Sequence, residues 1–275
     1  QSRELDGRQV RIINADLSTT LDLTQAAVLA ENANISYIGP SPHGRFDIPA
    51  NLAGKMLASG NPQGTSNRDV VRPVITGLDI VRSPRDMWTI DFGVMMHEEA
   101  QSYVEPYEYV RKNIQPERAK NRRKNYVDYW WQYGEARPGL RSRLAGLERY
   151  ISTPRVSKHR VFVWLPANVL SNDGTVVFAR DDEYFFGVLH ARPHELWALR
   201  MGTSLEDRPR YTPTTTFETY PFPWPPGQEP RPDLTGGGHL SGLVEEIAHW
   251  ARALVRWREA WLNPPPPAKG TLDVA

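Results

Sequence analysis

Cysteine is absent from this chain of 275 residues. Disulfide bonds, thiolate metal ligands and cysteine nucleophiles are therefore excluded. Long hydrophobic runs are absent as well: the longest, Val161 to Leu165, falls far short of the about 20 residues that a membrane-spanning helix needs. Residues 1 to 8 contain no hydrophobic signal region. We therefore expect a cytoplasmic protein that has no membrane partner.

The sequence motifs of common catalytic centres are also missing. The chain contains no phosphate loop, dinucleotide-binding glycine motif, nucleophile elbow or His-Glu-x-x-His helix. Glycines 236 to 238 precede a helical pattern, but no Lys-Ser or Lys-Thr pair follows them, so they indicate a linker. His190 and His194 follow the carboxylates of residues 181 to 183, but Pro193 should place the two imidazoles on different faces. We expect no catalytic residue and no metal site in this chain.

Positive charge is concentrated in one part of the chain. The net charge of the whole chain is only +1, whereas residues 111 to 160 carry +10 and the remaining residues carry −9. Such a basic block would attract the phosphate backbone of a nucleic acid, although a solvated helix face is the alternative. The basic residues that we expect to contact the DNA backbone are Arg118, Lys120, Arg122, Arg123, Lys124, Arg141, Arg143 and Arg155.

The hydrophobic patterns predict helices followed by an antiparallel sheet. Helical spacing covers Glu98–Asn113 and Glu117–Tyr133, and a period of two appears between Ile151 and Leu189, where Tyr184–Leu189 is predicted as a strand. The turn residues Asn172–Gly174 predict a hairpin. Because the chain starts at Gln1 and enters a strand-like segment directly, we expect it to be a piece of a longer polypeptide. The predicted organisation begins with an α+β region at 1–232, which contains a basic helical block at 98–150 and an antiparallel sheet at 151–220. A Gly-rich linker at 233–238, an amphipathic helix at 239–262 and a disordered tail at 263–275 are predicted to follow.

An acidic and a basic residue lie two positions apart just before a run rich in aromatic residues and proline. Pro209 favours an extended conformation for Arg208, and residues two apart in an extended chain project from the same face. In the major groove, the carboxylate of Glu206 could accept from cytosine N4 while Arg208 donates to guanine O6 and N7. The pair could therefore read one G·C base pair; a solvated surface ion pair is the alternative.

Several segments together resemble a known family. They are Ile13–Leu17, Ile38–Phe46, Ile90–Gly93, Glu99–Tyr103, Arg137–Pro138, Pro154–Phe162, Phe186–His190, His194–Trp197 and Arg210–Pro223. In this order they resemble the C-terminal part of the MmeI-like DNA methyltransferases, which are single-chain type IIG (IIL) restriction-modification proteins. The resemblance extends over most of residues 10 to 262.

The resemblance implies an α+β, antiparallel sheet-based target recognition domain with flanking helices and a C-terminal helical segment. It implies that the longer protein methylates adenine N6 in a short asymmetric DNA site, with or without a fused endonuclease. S-adenosylmethionine would be bound by an upstream domain and not by this chain. The implied partners are double-stranded DNA and that upstream methyltransferase domain.

The resemblance also implies roles for particular residues. Glu206 and Arg208 occupy the places of a charged pair that sets one recognised base pair. Two other segments resemble regions that reach bases: one contains Ser157, Lys158, His159 and Arg160, and the other is the hairpin tip with Asn172 and Asp173.

Functions of other classes remain open at the level of sequence. A stand-alone metal-dependent hydrolase could use Asp181, Glu183 and a histidine. A carbohydrate-binding domain could use some of the nine tryptophans, and a partner-binding domain would ignore DNA. Salt-dependent binding to duplex DNA distinguishes the DNA-recognition hypothesis from all three, because counterion release belongs to phosphate contacts.

Overall fold

A computed structural model describes residues 3–11, 13, 26–205, 208–231 and 238–264. It contains two four-stranded sheets and two short two-stranded ones. The twelve strands are β1 (Arg3–Leu5), β2 (Arg8–Val10), β3 (Ser36–Ile38), β4 (Asp47–Pro49), β5 (Val71–Ile75), β6 (Met87–Ile90), β7 (Arg149–Pro154), β8 (Val163–Pro166), β9 (Leu170–Ser171), β10 (Thr175–Phe178), β11 (Thr203–Leu205) and β12 (Arg208–Arg210), counted within those residues.

The first large sheet has the order β3-β10-β7-β8, and all of its pairs are antiparallel. Its central strand β10 pairs Val177 with Tyr37 on one side and with Ser152 on the other. The strand is rich in β-branched residues and is buried along its whole length, as expected at the centre of a sheet. One core of the protein lies on this sheet, where Ile151, Val176 and Phe178 are fully buried.

The second large sheet has the order β4-β6-β5-β9. Strand β6 pairs antiparallel with both β4 and β5, whereas β9 joins β5 in parallel. A separate core surrounds this sheet and includes Phe46, Ile48 and Phe92. The predicted hairpin at Asn172–Gly174 is wrong, because β9 pairs with β5 in the second sheet and β10 pairs with β3 and β7 in the first. The turn between β9 and β10 lies where the two sheets meet.

Ten α-helices cover the sheets within the described residues. They are α1 (Ala50–Ala58), α2 (Gly77–Val81), α3 (His97–Gln101), α4 (Val104–Asn113), α5 (Gln115–Arg118), α6 (Lys124–Asp128), α7 (Pro138–Leu144), α8 (Glu183–His190), α9 (Arg192–Met201) and α10 (Gly238–Leu262). None of the helices that the structure describes is long and apolar enough to cross a bilayer.

The predicted helix Glu117–Tyr133 is wrong, because only α5 and α6 form there. Between them the Asn121 side chain accepts a hydrogen bond from the Arg123 backbone N–H at 2.9 Å. Such local side-chain bonds compete with helical hydrogen bonding. Four cations in five residues, Lys120 and Arg122 to Lys124, also disfavour a continuous helix through mutual repulsion.

The predicted strand Tyr184–Leu189 is also wrong, because this segment forms helix α8. Asp182 caps the helix by accepting from the Phe185 backbone N–H at 2.8 Å. One side of α8 packs on the first sheet, and on the other side Gly187 lies so close to Ile247 of α10 that a Cβ would approach it to 2.7 Å. A short apolar run that is buried on both sides cannot be assigned to a strand or a helix from its sequence pattern alone.

The fold class is confirmed: the protein is α+β, with antiparallel sheets and a C-terminal helix. Helix α10 packs along α8 through Ala248 and Ala251, and its Arg258 donates to the Phe162 carbonyl at 2.8 Å. The predicted domain boundaries stay predictions. Residues 232–237 and 265–275, which hold most of the predicted linker and tail, lie outside the described residues.

Candidate nucleic-acid interface

A cavity of about 670 Å³ opens at the junction of the two sheets. Its wall is built by α2 and the residues around it, by the segment after β7, by the turn between β9 and β10, and by β12. Four arginines line it: Arg85, Arg155, Arg208 and Arg210. The turn residues Asn172, Asp173 and Gly174 line it as well. The fold thus gathers residues that are widely separated in sequence around one cationic opening.

The turn at the cavity is held by its own side chain and by its neighbours. The Asn172 side-chain oxygen accepts from the Gly174 N–H at 2.9 Å, and the Asn172 N–H donates to the Ile75 carbonyl at 3.0 Å. A Cβ on Gly39 would approach the Asn172 carbonyl to 2.2 Å, and one on Gly77 would approach the Gly174 carbonyl to 2.6 Å. Only glycine allows these close backbone approaches. The turn is therefore fixed before any ligand binds.

Asp173 has contacts on two sides. Its carboxylate accepts from the Ser41 hydroxyl at 2.7 Å, and its carbonyl accepts from Arg155 at 3.0 Å. Burial lowers the pKa of Arg155, and the positive charge of Arg210 lowers it further. The charge of Arg210 thus disfavours the charge of Arg155, and an anion at this place would relieve that repulsion.

Strand β12 supplies the other wall. Arg208 and Arg210 are both exposed, line the cavity and lie two residues apart in the strand, so they share a face. Between them, the Pro209 carbonyl accepts from the Ser157 N–H at 3.3 Å and from Arg160 at 3.3 Å. Glu206 lies outside the described residues, so its pairing with Arg208 stays a prediction.

The segment from 157 to 160 divides into two kinds of residue. Ser157 is buried and donates to the His159 carbonyl at 2.7 Å. The Arg160 guanidinium donates to the Pro154 and Pro209 carbonyls and lies 5.0 Å from the centre of the Tyr211 ring, and burial lowers the pKa of Arg160 to about 10. The Arg160 guanidinium thus binds the loop to β12, and the Ser157 hydroxyl makes a bond within the loop. The base contacts predicted for Ser157 and Arg160 stay predictions. Lys158 and His159 are exposed, and their roles stay predictions.

Comparison with solved structures finds a protein of similar fold. No family model matches the chain, and a search of curated proteins finds no relative. The solved structure of the type IIL restriction-modification enzyme MmeI in complex with DNA is similar in fold, with a TM-score of 0.67 and 17% sequence identity. The match covers 93% of this chain and 32% of MmeI, so the chain spans about a third of the length of that enzyme. At this identity, the likeness establishes a shared fold.

Two arginines of the basic block are structural, which corrects their predicted phosphate contacts. Arg118 is only 3% exposed, and its guanidinium donates to the Pro42 carbonyl at 2.8 Å and to the Tyr129 carbonyl at 3.3 Å. Arg141 makes two hydrogen bonds of 2.8 Å to the carboxylate of Asp91, whose side chain is fully buried. Arg118 is not accessible to a phosphate because it is buried, and the Arg141 guanidinium is already paired with a buried carboxylate.

The other predicted backbone contacts lie at the surface. Their side chains are exposed between α5 and the first turn of α6 and in α7, with the exception of Arg155, which is partly buried in the cavity wall. Their phosphate contacts stay predictions. The exposed residues are Lys120, Arg122, Arg123, Lys124 and Arg143.

The residues considered for a hydrolase site have structural partners. Buried His194 makes hydrogen bonds to the Leu189 carbonyl at 2.8 Å and to the Tyr211 hydroxyl at 3.0 Å, and burial lowers its pKa to about 4. Glu183 forms an ion pair with Arg149, which also donates to the backbone carbonyl of Asp181 at 2.8 Å. Among the residues that the structure describes, no three metal-binding side chains come together.

Arg85 and Arg210 are the cavity residues that the sequence analysis missed. Arg210 could have been found from its spacing, because it lies two residues beyond Arg208 on the same face of an extended segment. For Arg85 the signal is weaker. Thr76 and Asp79 form a capping box at the start of α2, which predicts a helix start but not an arginine bound to it.

Proposed function

We propose that this chain is the sequence-specific, double-stranded DNA recognition module of an S-adenosylmethionine-dependent adenine-N6 DNA methyltransferase of the restriction-modification class. The carrying observation is the cavity where Arg208 and Arg210 meet the turn Asn172–Asp173. The fold shared with MmeI, whose solved structure contains DNA, supports the proposal. So does the sequence resemblance to the MmeI-like proteins.

The side chains at the cavity have the chemistry that base readout needs. A guanidinium can donate twice to guanine O6 and N7, an amide can bind adenine N6 and N7, and a carboxylate can accept from cytosine N4. Arg208, Asn172 and Asp173 provide one group of each kind on a short strand and a tight turn. We propose that Glu206 completes the pair with Arg208.

Contacts to the DNA backbone would fix the register in which these groups meet the bases. The exposed cations between α5 and α6, together with Arg143, are the proposed backbone contacts, and Arg155 is one at the cavity itself. Lys158 and His159 are proposed as further contacts near β12, because the loop that carries them is bound to that strand.

Methyl transfer is assigned to another part of a longer polypeptide. The chain spans about a third of MmeI, and its sequence contains neither the cofactor glycine motif nor a catalytic Asn-Pro-Pro-aromatic motif. We therefore propose that an upstream domain binds S-adenosylmethionine and that this chain chooses the adenine to be methylated.

The experiment that tests this function is selection of bound duplexes. The purified chain is mixed with duplexes that contain a randomised segment, and the bound fraction is sequenced and titrated in 50 mM and 200 mM salt. We expect one short asymmetric sequence to be enriched and its affinity to fall about 10-fold or more at the higher salt. Arg208→Ala should cost about 1 to 3 kcal/mol of discrimination at one base pair. Binding without any enriched sequence, or no binding at either salt, would contradict the proposal.

A further inference from the structure

Arg85 approaches the cavity from a different element than the predicted recognition residues. It follows α2 in sequence, and its side chain is 54% exposed. The Asp79 side chain, which is only 2% exposed, binds it through Nε at 2.9 Å and through Nη2 at 3.0 Å. Nη2 also donates to the Thr76 hydroxyl at 3.0 Å. The guanidinium is therefore fixed in position by a buried carboxylate.

Asp79 has a second set of bonds that makes it a rigid support. Its carboxylate accepts from the Thr76 N–H at 2.9 Å and from the Thr76 hydroxyl at 2.7 Å. Burial alone would raise the pKa of Asp79, but the hydrogen bonds from Arg85 and Thr76 outweigh it and hold the pKa well below its usual range. Asp79 is thus charged at neutral pH, and Arg85 keeps its partner there.

The bonds to Asp79 and Thr76 limit what Arg85 can recognise. Within the described part of the chain, Nε and Nη2 make all the hydrogen bonds of this guanidinium, so the two N–H groups of Nη1 remain for a ligand. The planar bidentate contact of an arginine with guanine O6 and N7 uses parallel N–H groups on two nitrogens, and Arg85 has no such pair left because Nε and Nη2 are already bonded. A single nitrogen with a positive charge suits a phosphate oxygen instead, which carries no sequence information.

We propose that Arg85 is a phosphodiester contact of the cavity and that Asp79 is the residue that positions it. The inference rests on the proposed DNA-binding function and deepens it. Arg85 neutralises the phosphate charge of the DNA strand next to the bases that Arg208 and the turn Asn172–Asp173 contact. Because its guanidinium is fixed by α2, it determines how the DNA backbone sits relative to β12.

The test measures affinity against salt for the duplex sequence selected by the wild-type chain. Each phosphate contact contributes about 0.9 to the slope of log K against log salt for duplex DNA. We expect Arg85→Ala to lower that slope by about 1 and to leave the selected sequence unchanged. Arg85→Lys should keep most of the slope, because it keeps the charge, while its affinity falls below that of the wild type.

Two further variants separate this role from a structural one. Asp79→Asn combined with Arg85→Ala removes the buried charge that Arg85→Ala alone leaves unpaired, so the double variant keeps the test valid if the single variant is unstable. It should show the same lowered slope. Arg192→Ala is the matched control: this exposed arginine also pairs with an acid, Glu195 at 2.6 Å, but lies outside the cavity, and its loss should leave the slope unchanged.

The outcomes distinguish this inference from the function on which it rests. A wild-type chain that does not bind duplex DNA overturns the proposed function. A wild type that binds with an unchanged slope in both Arg85→Ala variants overturns only the role of Arg85. A change in the selected sequence would show that Arg85 contacts a base and not a phosphate, which also overturns this inference.

Discussion

The arginines of this chain fall into two groups that the fold separates. Arg118 and Arg141 belong to the basic block, yet their donors are occupied by carbonyls and by a buried carboxylate. Arg85, Arg208 and Arg210 come from outside the block and meet at one open cavity. Local charge density in the sequence therefore does not distinguish buried arginines from exposed ones. The two groups differ in exposure: Arg118 is only 3% exposed and the Arg141 side chain 22%, whereas the Arg85 side chain is 54% exposed and Arg208 and Arg210 lie at the surface.

The largest effect is expected for Arg118→Ala, which tests whether the buried arginine supports the fold. Loss of this guanidinium leaves the Gln132 carbonyl without its donor and opens a cavity between Phe46 and Tyr126, whose rings flank the guanidinium at 5.2 and 5.0 Å. We expect the free energy of unfolding to fall by about 3 to 5 kcal/mol. Urea denaturation followed by tryptophan fluorescence measures this change.

The control lies two residues further on. Lys120 is exposed, and Lys120→Ala should change the free energy of unfolding by no more than about 0.5 kcal/mol. Equal stabilities of the two variants would show that Arg118 is not the structural residue described above.

The second prediction extends the comparison to buried histidine. His190 binds the Phe186 carbonyl at 3.2 Å, and its other ring nitrogen lies 3.1 Å from the Arg258 guanidinium. Burial, and next the charge of Arg258, lower the pKa of His190 from 6.5 to about 4. Between these two pKa values the unfolded chain binds more protons than the folded one, so the free energy of unfolding rises with pH. The stabilising contribution of neutral His190 reaches its full size above about pH 6.5.

We expect the contribution of His190 to the free energy of unfolding to fall by about 2 to 3 kcal/mol when the pH is lowered from 7.5 to 4.5. Urea denaturation at the two pH values should therefore show a smaller pH-dependent loss for His190→Gln than for the wild type. His249 is exposed, and His249→Gln should behave as the wild type. An unchanged pH dependence in His190→Gln would mean that the pKa of His190 is the same in the folded and the unfolded chain.

The fold class could be predicted because most of the sheet shows local signals. β-branched residues mark β7 and β10, and the sequence Asn172-Asp-Gly174 marks the turn before β10. Helix α8 could not be predicted, because burial on both sides removes the polar face that reveals a helix. The parallel pairing of β9 with β5 could not be predicted either, since it joins Val74 to Leu170 across almost a hundred residues.

The site was predicted only in part for a related reason. Asn172, Asp173 and Arg208 were found from turn chemistry, from spacing and from a family resemblance, and the fold brings them to one cavity. The Arg118 guanidinium is bound by the Pro42 carbonyl, which is 76 residues away in sequence. Nothing near Arg118 distinguishes it from Lys120, because burial is decided by contacts between distant segments.

The third prediction sharpens the role of the cavity arginines. Arg208→Lys keeps the positive charge but loses the planar fork that can donate to guanine O6 and N7 together. We expect it to lose about 1 to 3 kcal/mol of discrimination at one base pair while the salt slope stays nearly the same. Arg122→Lys in the basic block should alter neither quantity. Duplexes that vary the selected sequence one base pair at a time provide the measurement, and equal discrimination in Arg208→Lys and wild type would exclude Arg208 from base readout.

The smallest effects are expected at the exposed cations between α5 and α6. Single alanine variants of Lys120, Arg122, Arg123 and Lys124 should each lower the salt slope by at most about 0.9, without changing the selected sequence. Their stabilities should stay within about 0.5 kcal/mol of the wild type, because these side chains are at the surface. Salt titrations of the four variants beside Arg85→Ala compare the block with the cavity directly. If only Arg85→Ala lowers the slope, the basic block is a solvated surface and the cavity alone holds the DNA backbone.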